Sequence, residues 1–138
     1  MPRLFIAFCV LLLATPAALA QGYPQKPIRY IVPFPAGGIA DVFARIIGGR
    51  LTELWGQPVV VENRAGAGGN IGAELVAKSA PDGYTILMGS IGTQAVNASL
   101  YRNMPYDSAK DFTAVALVIE AESLLAVHPS IAAGRPRS

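Results

Sequence analysis

Three times between Ile28 and Leu100 a short β-rich run is followed by a glycine-rich or small-residue stretch and then by helical spacing. Ile28 to Phe34 supplies Ile, Tyr and Val for a first strand, ended by Pro33 and Pro35. Gly37-Gly38 turns the chain, and a helix is expected from Asp41 to about Trp55, with Phe43, Ile46, Ile47, Leu51 and Leu54 at helical spacing. Pro58 to Glu62 reads as a second strand, because Val59-Val60-Val61 is a β-branched run of the kind found where both sheet faces are covered. The glycine-rich stretch Gly66 to Gly72 leads to a short helix, Ala73 to Ser79, stopped by Pro81. Tyr84 to Met88 is a third strand after an Asp82-Gly83 turn, and Gly89 to Thr93 leads to a helix from about Gln94 to Leu100. Val115 to Ile119 and Leu124 to Val127 are expected as two further strands. The order β-α-β-α-β-α-β-β predicts an α/β fold with a largely parallel sheet and right-handed crossovers.

The beginning of the chain bears on its compartment. Arg3, the apolar stretch Leu4 to Ala14 and the small residues Ala18-Leu19-Ala20 form a signal peptide, with cleavage expected after Ala20. The stretch is too short for a membrane span, which takes about 20 residues, and Gln21 stands where a lipoprotein needs Cys. Removing 20 of 138 residues leaves 118, with 11 − 1 = 10 basic and 9 acidic side chains, a net charge of about +1. That balance carries no nucleic-acid footprint. The only Cys is Cys9, inside the signal, so the exported chain has neither a disulfide nor a thiol nucleophile. A chain of this size buries about two thirds of its unfolded surface, enough for one domain with a core.

In a parallel sheet the strand-to-helix loops gather at the C-terminal edge, so the loops at 35 to 41, 63 to 72 and 89 to 94 are expected to converge there. Each leads into a helix N-terminus, where free backbone N–H groups and the positive dipole end favour an anion. Ser90, Thr93, Gln94 and Asn97 add neutral donors, and Asn70 can add another amide. The competing reading is that the glycines only make turns and that Asp41, Ser90 and Thr93 only cap helices. Convergence of three such loops favours binding. Gly66, Gly68 and Gly72 give a GxGxxxG spacing resembling a dinucleotide turn, but it follows the second strand, and the next strand ends Leu87-Met88-Gly89 with no acid for a ribose. His128 is the only histidine, so it builds no metal cluster, and no G-x-S-x-G elbow exists. Trp55 and Phe43 are expected in the core rather than as stacking platforms.

The segments YPQKPIRYIVPFPAGGIADVFAR (residues 23 to 45) and GQPVVVENRAGAGGNIGAELVAKSAPDGYTILMGS (56 to 90) closely resemble the Bug-type substrate-binding proteins of tripartite tricarboxylate transporters. The resemblance continues through GTQAVNASLY (92 to 101), PYDSAKDFTAVALV (105 to 118) and VHPS (127 to 130), nearly the whole exported chain. It implies a two-lobed, type II periplasmic-binding-protein fold that closes on a small carboxylate and delivers it to a membrane permease, with no enzymatic chemistry and no cofactor. In that family the loop after the first strand and the GS-x-GT loop grip a carboxylate through backbone amides, hydroxyls and bridging waters. The matching positions here are Phe34, Gly37, Gly38, Ile39, Ala40 and Asp41, then Ser90, Thr93 and Asn97, with Asn70 a further candidate. Gln94 stands where many relatives have His. The expected organisation is a signal peptide at 1 to 20, an incomplete N-terminal lobe at 21 to 118, and the start of a crossover at 119 to 138. The tail from Ile131 to Ser138 is unlike the family's continuation. The family runs to roughly twice this length, beyond one compact domain, so the alternative expectation is a nonbinding remnant of such a receptor.

Overall fold

The computed structural model describes residues 22–120, 126 and 128. The signal peptide and nearly all of the strand expected at 124 to 127 lie outside those residues. The elements are β1 (Ile28–Val32), α1 (Ile39–Trp55), β2 (Val59–Asn63), a 3-10 turn (Ala67–Gly69), α2 (Asn70–Ala77), β3 (Thr85–Leu87), a π-helical turn (Gly92–Val96) and α3 (Asn97–Leu100). The three strands form one parallel sheet in the order β2-β1-β3. The α/β class and the parallel sheet are therefore as the residue pattern implies.

β1 is central because it is the most apolar on both sides. Ile28, Ile31 and Val32 are fully buried, each removing apolar surface worth about 1.5–3 kcal/mol from water. In register, Tyr30 lies between Val61 and Ile86, so one face carries Tyr30, Val32, Val59, Val61, Ile86 and Met88. Ala44, Phe43 and Ile47 of α1 pack on that face. The right-handed connections β1-α1-β2 and β2-α2-β3 put α1 and α2 on opposite faces. On the second face Arg29 of β1 forms a two-pronged pair with Glu62 of β2, at 2.7 and 3.0 Å.

Gly56, in the left-handed region at φ 64°, ends α1 and donates its N–H to Thr52 O. The Thr52 hydroxyl donates to Gly48 O and accepts from the Val59 N–H, which fixes where β2 begins. Trp55 is not in the core: at the N-terminal edge of the sheet it meets Tyr23, which also packs on Tyr84 and donates to Gly83 O.

Several expectations change. β2 is an edge strand, and Val60 is half exposed, so the valine run signals strand but not cover on both faces. α1 and α2 each begin before the expected residue, at Ile39 and Asn70. Val115 to Ile119 is not a strand: residues 112–120 have no regular structure, and among the described residues no backbone hydrogen bond reaches them. A β-branched run becomes a strand only against a partner, and this one lies over a cavity of about 960 Å³ beside β3 instead of pairing with it. No helix among the described residues is long and apolar enough to cross a membrane.

Candidate functional site

The strand order reverses direction at β1. From β1 the chain winds outward to β2, then crosses back over β1 to β3. The loops leaving β1 and β3 therefore diverge, and a crevice opens between them at the carboxyl edge of the sheet. A cleft of about 1030 Å³ lies there, lined by Phe34, Pro35, Gly38, Ile39, Ala40 and Phe43 on one side and by Met88, Gly89, Ser90, Ile91 and Gln94 on the other. Leu117, Ile119 and Glu120 close part of its rim.

The floor on the β1 side is the N-terminus of α1. Gly38 is its cap residue, in extended conformation and without a side-chain cap bond. Val42 is the first residue whose N–H reaches a helical acceptor, Gly38 O. The preceding amides, at Ile39 and Ala40, have no intrahelical acceptor and lie at the positive end of the helix dipole.

Asp41 does not line the cleft. Its buried carboxylate accepts from the Gly37 N–H at 2.8 Å, from Arg45 Nε at 3.1 Å and from Asn63 Nδ2 at 3.0 Å, with a second Arg45 contact at 2.9 Å. Asn63 Nδ2 also donates to Phe34 O at 3.1 Å. The Arg45 guanidinium, then the Gly37 amide, hold the Asp41 carboxyl at a pKa of about 2. All its acceptor capacity is spent on fixing the loop. Asn63 is thereby the strut between β2 and the first loop, a role that its place at the start of the loop 63 to 72 does not signal.

On the β3 side Ser90 and Thr93 form a reciprocal cap. The Ser90 N–H donates to Thr93 Oγ1 at 3.0 Å, and the Thr93 N–H donates to Ser90 Oγ at 3.2 Å. The helical path thus opens at Ile91, not at Gln94. Thr93 is buried by this role, while Ser90 and Gln94 keep faces toward the cleft. The Gln94 side chain lies over Gly89, where an added Cβ would meet Gln94 Cγ at 3.4 Å.

The third loop does not converge on the cleft. β2 lies on the far side of β1 from β3, so residues 63–72 reach only the back of the other two loops. Asn70 Oδ1 accepts from Asn97 Nδ2 at 2.7 Å, and Asn97 Nδ2 also donates to Gly68 O at 3.0 Å. The Tyr106 hydroxyl lies 2.7 Å from Thr93 O and 3.0 Å from Asn70 Oδ1, in the same buried knot. Gly69, at φ 93°, would place a Cβ 2.7 Å from Thr93 Cγ2, and Gly72 would place one 2.8 Å from Arg64 O. The GxGxxxG glycines thus serve turning and close packing. Of the sequence candidates, Phe34, Gly38, Ile39, Ala40, Ser90 and Gln94 meet at the cleft. Gly37, Asp41, Asn70, Thr93 and Asn97 stand behind it.

A sequence profile of the tripartite tricarboxylate transporter family receptor matches residues 43–134, running past Ser130. A UPF0065 protein from the tcbD-tcbE intergenic region of Pseudomonas sp. strain P51 is 45% identical over 122 residues, 88% of this chain and 36% of its own. Protein BugT of Bordetella pertussis is 47% identical over 113 residues, 81% of this chain and 35% of its own. The chain thus spans about a third of the length of these curated relatives. Among solved structures, MatC from Rhodopseudomonas palustris with bound malate is 41% identical, with a TM-score of 0.67 over 70% of this chain and 33% of that one. An R. palustris protein with adipate is 45% identical, with a TM-score of 0.62 over 64% of this chain and 29% of that one. By the profile and these relatives the chain belongs to the tripartite tricarboxylate transporter receptor family.

Proposed function

We propose that the protein is an extracytoplasmic receptor that binds a small carboxylate and delivers it to the permease subunits of a tripartite tricarboxylate transporter. The observation that carries this reading is the cleft itself: an uncapped α1 N-terminus faces the Ser90–Gln94 turn across the crevice between β1 and β3. One carboxylate oxygen is received by the amides of Ile39 and Ala40, and the other by the Ser90 hydroxyl and the Gln94 amide. The bound malate and adipate of the two relatives support the ligand class. The signal-like start and the description of a 48% identical neighbour as a periplasmic transporter support a periplasmic location.

In this reading the residues behind the cleft act by position. Asp41 with Asn63 and Arg45 holds the first loop, while Asn70, Asn97 and Tyr106 hold the second. Residues 21 to 118 are an incomplete first lobe, and 119 to 138 are the start of a crossover toward a second. Titration calorimetry with a panel of mono-, di- and tricarboxylates gives saturable binding of at least one acid. Silence across the panel counts against the receptor reading and favours the nonbinding alternative.

A further inference from the structure

In an α-helix every N–H reaches back four residues, and the segment on the β3 side of the cleft breaks that rule once. The Gln94 N–H reaches Ser90 O, four back, at 2.9 Å. The Asn97 N–H reaches Gly92 O, five back. The Tyr101 N–H again reaches four back, to Asn97 O at 2.9 Å. The π-helical turn Gly92–Val96 thus takes up an extra residue between two ends that are each pinned. The Ser90–Thr93 reciprocal cap fixes the first end. Asn97 Nδ2, bonded to Gly68 O and Asn70 Oδ1, fixes the second. In an uninterrupted α register one end would turn against the other by up to about 100°, the angle that one residue occupies. Either Ser90 and Gln94 would leave their places at the cleft, or Asn97 would leave its knot.

The π spacing is rare and has poorer geometry than the α-helix, so something outside the turn must favour it. An α register would give the Asn97 N–H to Thr93 O. With that N–H bonded to Gly92 instead, Thr93 O lies 2.7 Å from the Tyr106 hydroxyl, which donates to it. Thr93 is 1% exposed and Tyr106 6%, so solvent cannot replace this donor, and an unmet buried carbonyl costs about 1–3 kcal/mol. The Tyr106 ring is held in turn by Phe112, edge-on with centroids 5.5 Å apart.

We infer that Tyr106 is a positioning residue of the cleft: by taking the Thr93 carbonyl its hydroxyl selects the π register of residues 92–96 and so sets where Ser90 and Gln94 meet the ligand. The effect on binding rests on the receptor reading above, while the register does not.

The test is NMR of the isotope-labelled protein, using scalar couplings across hydrogen bonds to identify the carbonyl that each donor reaches. The Asn97 amide correlates with the Gly92 carbonyl carbon, and the slowly exchanging Tyr106 hydroxyl proton with that of Thr93. In Tyr106→Phe the Asn97 correlation moves to Thr93, and Kd for hexanoate, adipate and malate rises severalfold. Phe112→Leu, which removes only the edge contact to the ring, lowers stability but keeps the correlation at Gly92 and Kd unchanged. An Asn97 amide that correlates with Thr93 in the unaltered protein, or stays with Gly92 in Tyr106→Phe, overturns the inference. So does a shift in both variants alike, or a shifted register with every Kd unchanged. If Tyr106→Phe does not fold, the hydroxyl proton decides: its correlation with the Asn70 side-chain carbonyl in place of Thr93 overturns the inference. If none of the acids binds the unaltered protein, the receptor reading fails, and the register stands or falls by the couplings alone.

Discussion

Asp41 shows how a residue singled out in the sequence as a ligand-binding candidate can have its side chain engaged within the fold. It lies in the right loop and at the right helix terminus, yet its carboxylate is engaged by Gly37, Arg45 and Asn63. A carboxylate already carrying such donors has nothing to offer an anion except repulsion. Replacing it, as in Asp41→Asn, removes the charge that Arg45 answers; the expected outcome is a lower unfolding midpoint by calorimetry and weaker carboxylate binding. Tyr106 is the converse case, a residue inside a family-resembling segment that was not a site candidate. Its hydroxyl is the link between Thr93 O and Asn70, while its ring rests edge-on against Phe112. Tyr106→Phe keeps the ring and leaves the buried Thr93 carbonyl without that partner, so stability falls by about 1–3 kcal/mol in urea unfolding. Ser90 and Gln94 were legible because small polar residues in a glycine loop are few. Ile91 was not, since an exposed aliphatic residue in a sequence resembles a core one.

Among the elements, the three strands and the first two helices were legible from β-branched runs, prolines and apolar spacing. Their ends were less so, because caps decide them: the Ser90–Thr93 reciprocal bond starts a helical path at Ile91 that apolar periodicity alone places later. The run Val115 to Ile119 failed as a strand for a different reason, since pairing is a property of two segments and only one is read at a time. Close packing between α2 and the first loop is testable at Gly72, where a Cβ would lie 2.9 Å from Pro33 Cα and 2.8 Å from Arg64 O. Both obstacles are backbone atoms, so Gly72→Ala forces the helix off the sheet and destabilises by about 1–3 kcal/mol in the same unfolding assay. The join between β1 and β2 predicts a pH dependence. Hydrogen bonds from Arg29, then Arg64, hold the Glu62 carboxyl at a pKa of about 2, against 4.5 unperturbed. A depressed folded pKa contributes stability that is complete above the unfolded value and is lost as pH falls toward the folded one. With Asp41 lowered to about 2 as well, the unfolding midpoint stays level from neutrality to about pH 5 and drops between about pH 4 and 2. Glu62→Gln makes that drop shallower.

For the whole molecule, topology explains both what converges and what does not. The gathering of strand-to-helix loops at one sheet edge was legible from element order. That two of the three loops would form the cleft was not, because it depends on β2 and β3 lying on opposite sides of β1. With that order fixed, the loops after β1 and β3 face one another and the loop after β2 becomes their support. The central claim is that an anion sits between the α1 N-terminus and the Ser90–Gln94 turn. Its most direct test is a two-dimensional amide NMR titration of the protein with hexanoate. The prediction is saturable shifts concentrated at residues 38–41 and 89–94, with the amides of Ile39 and Ala40 moving downfield; shifts confined to residues 63–69, or none that saturate, would contradict it.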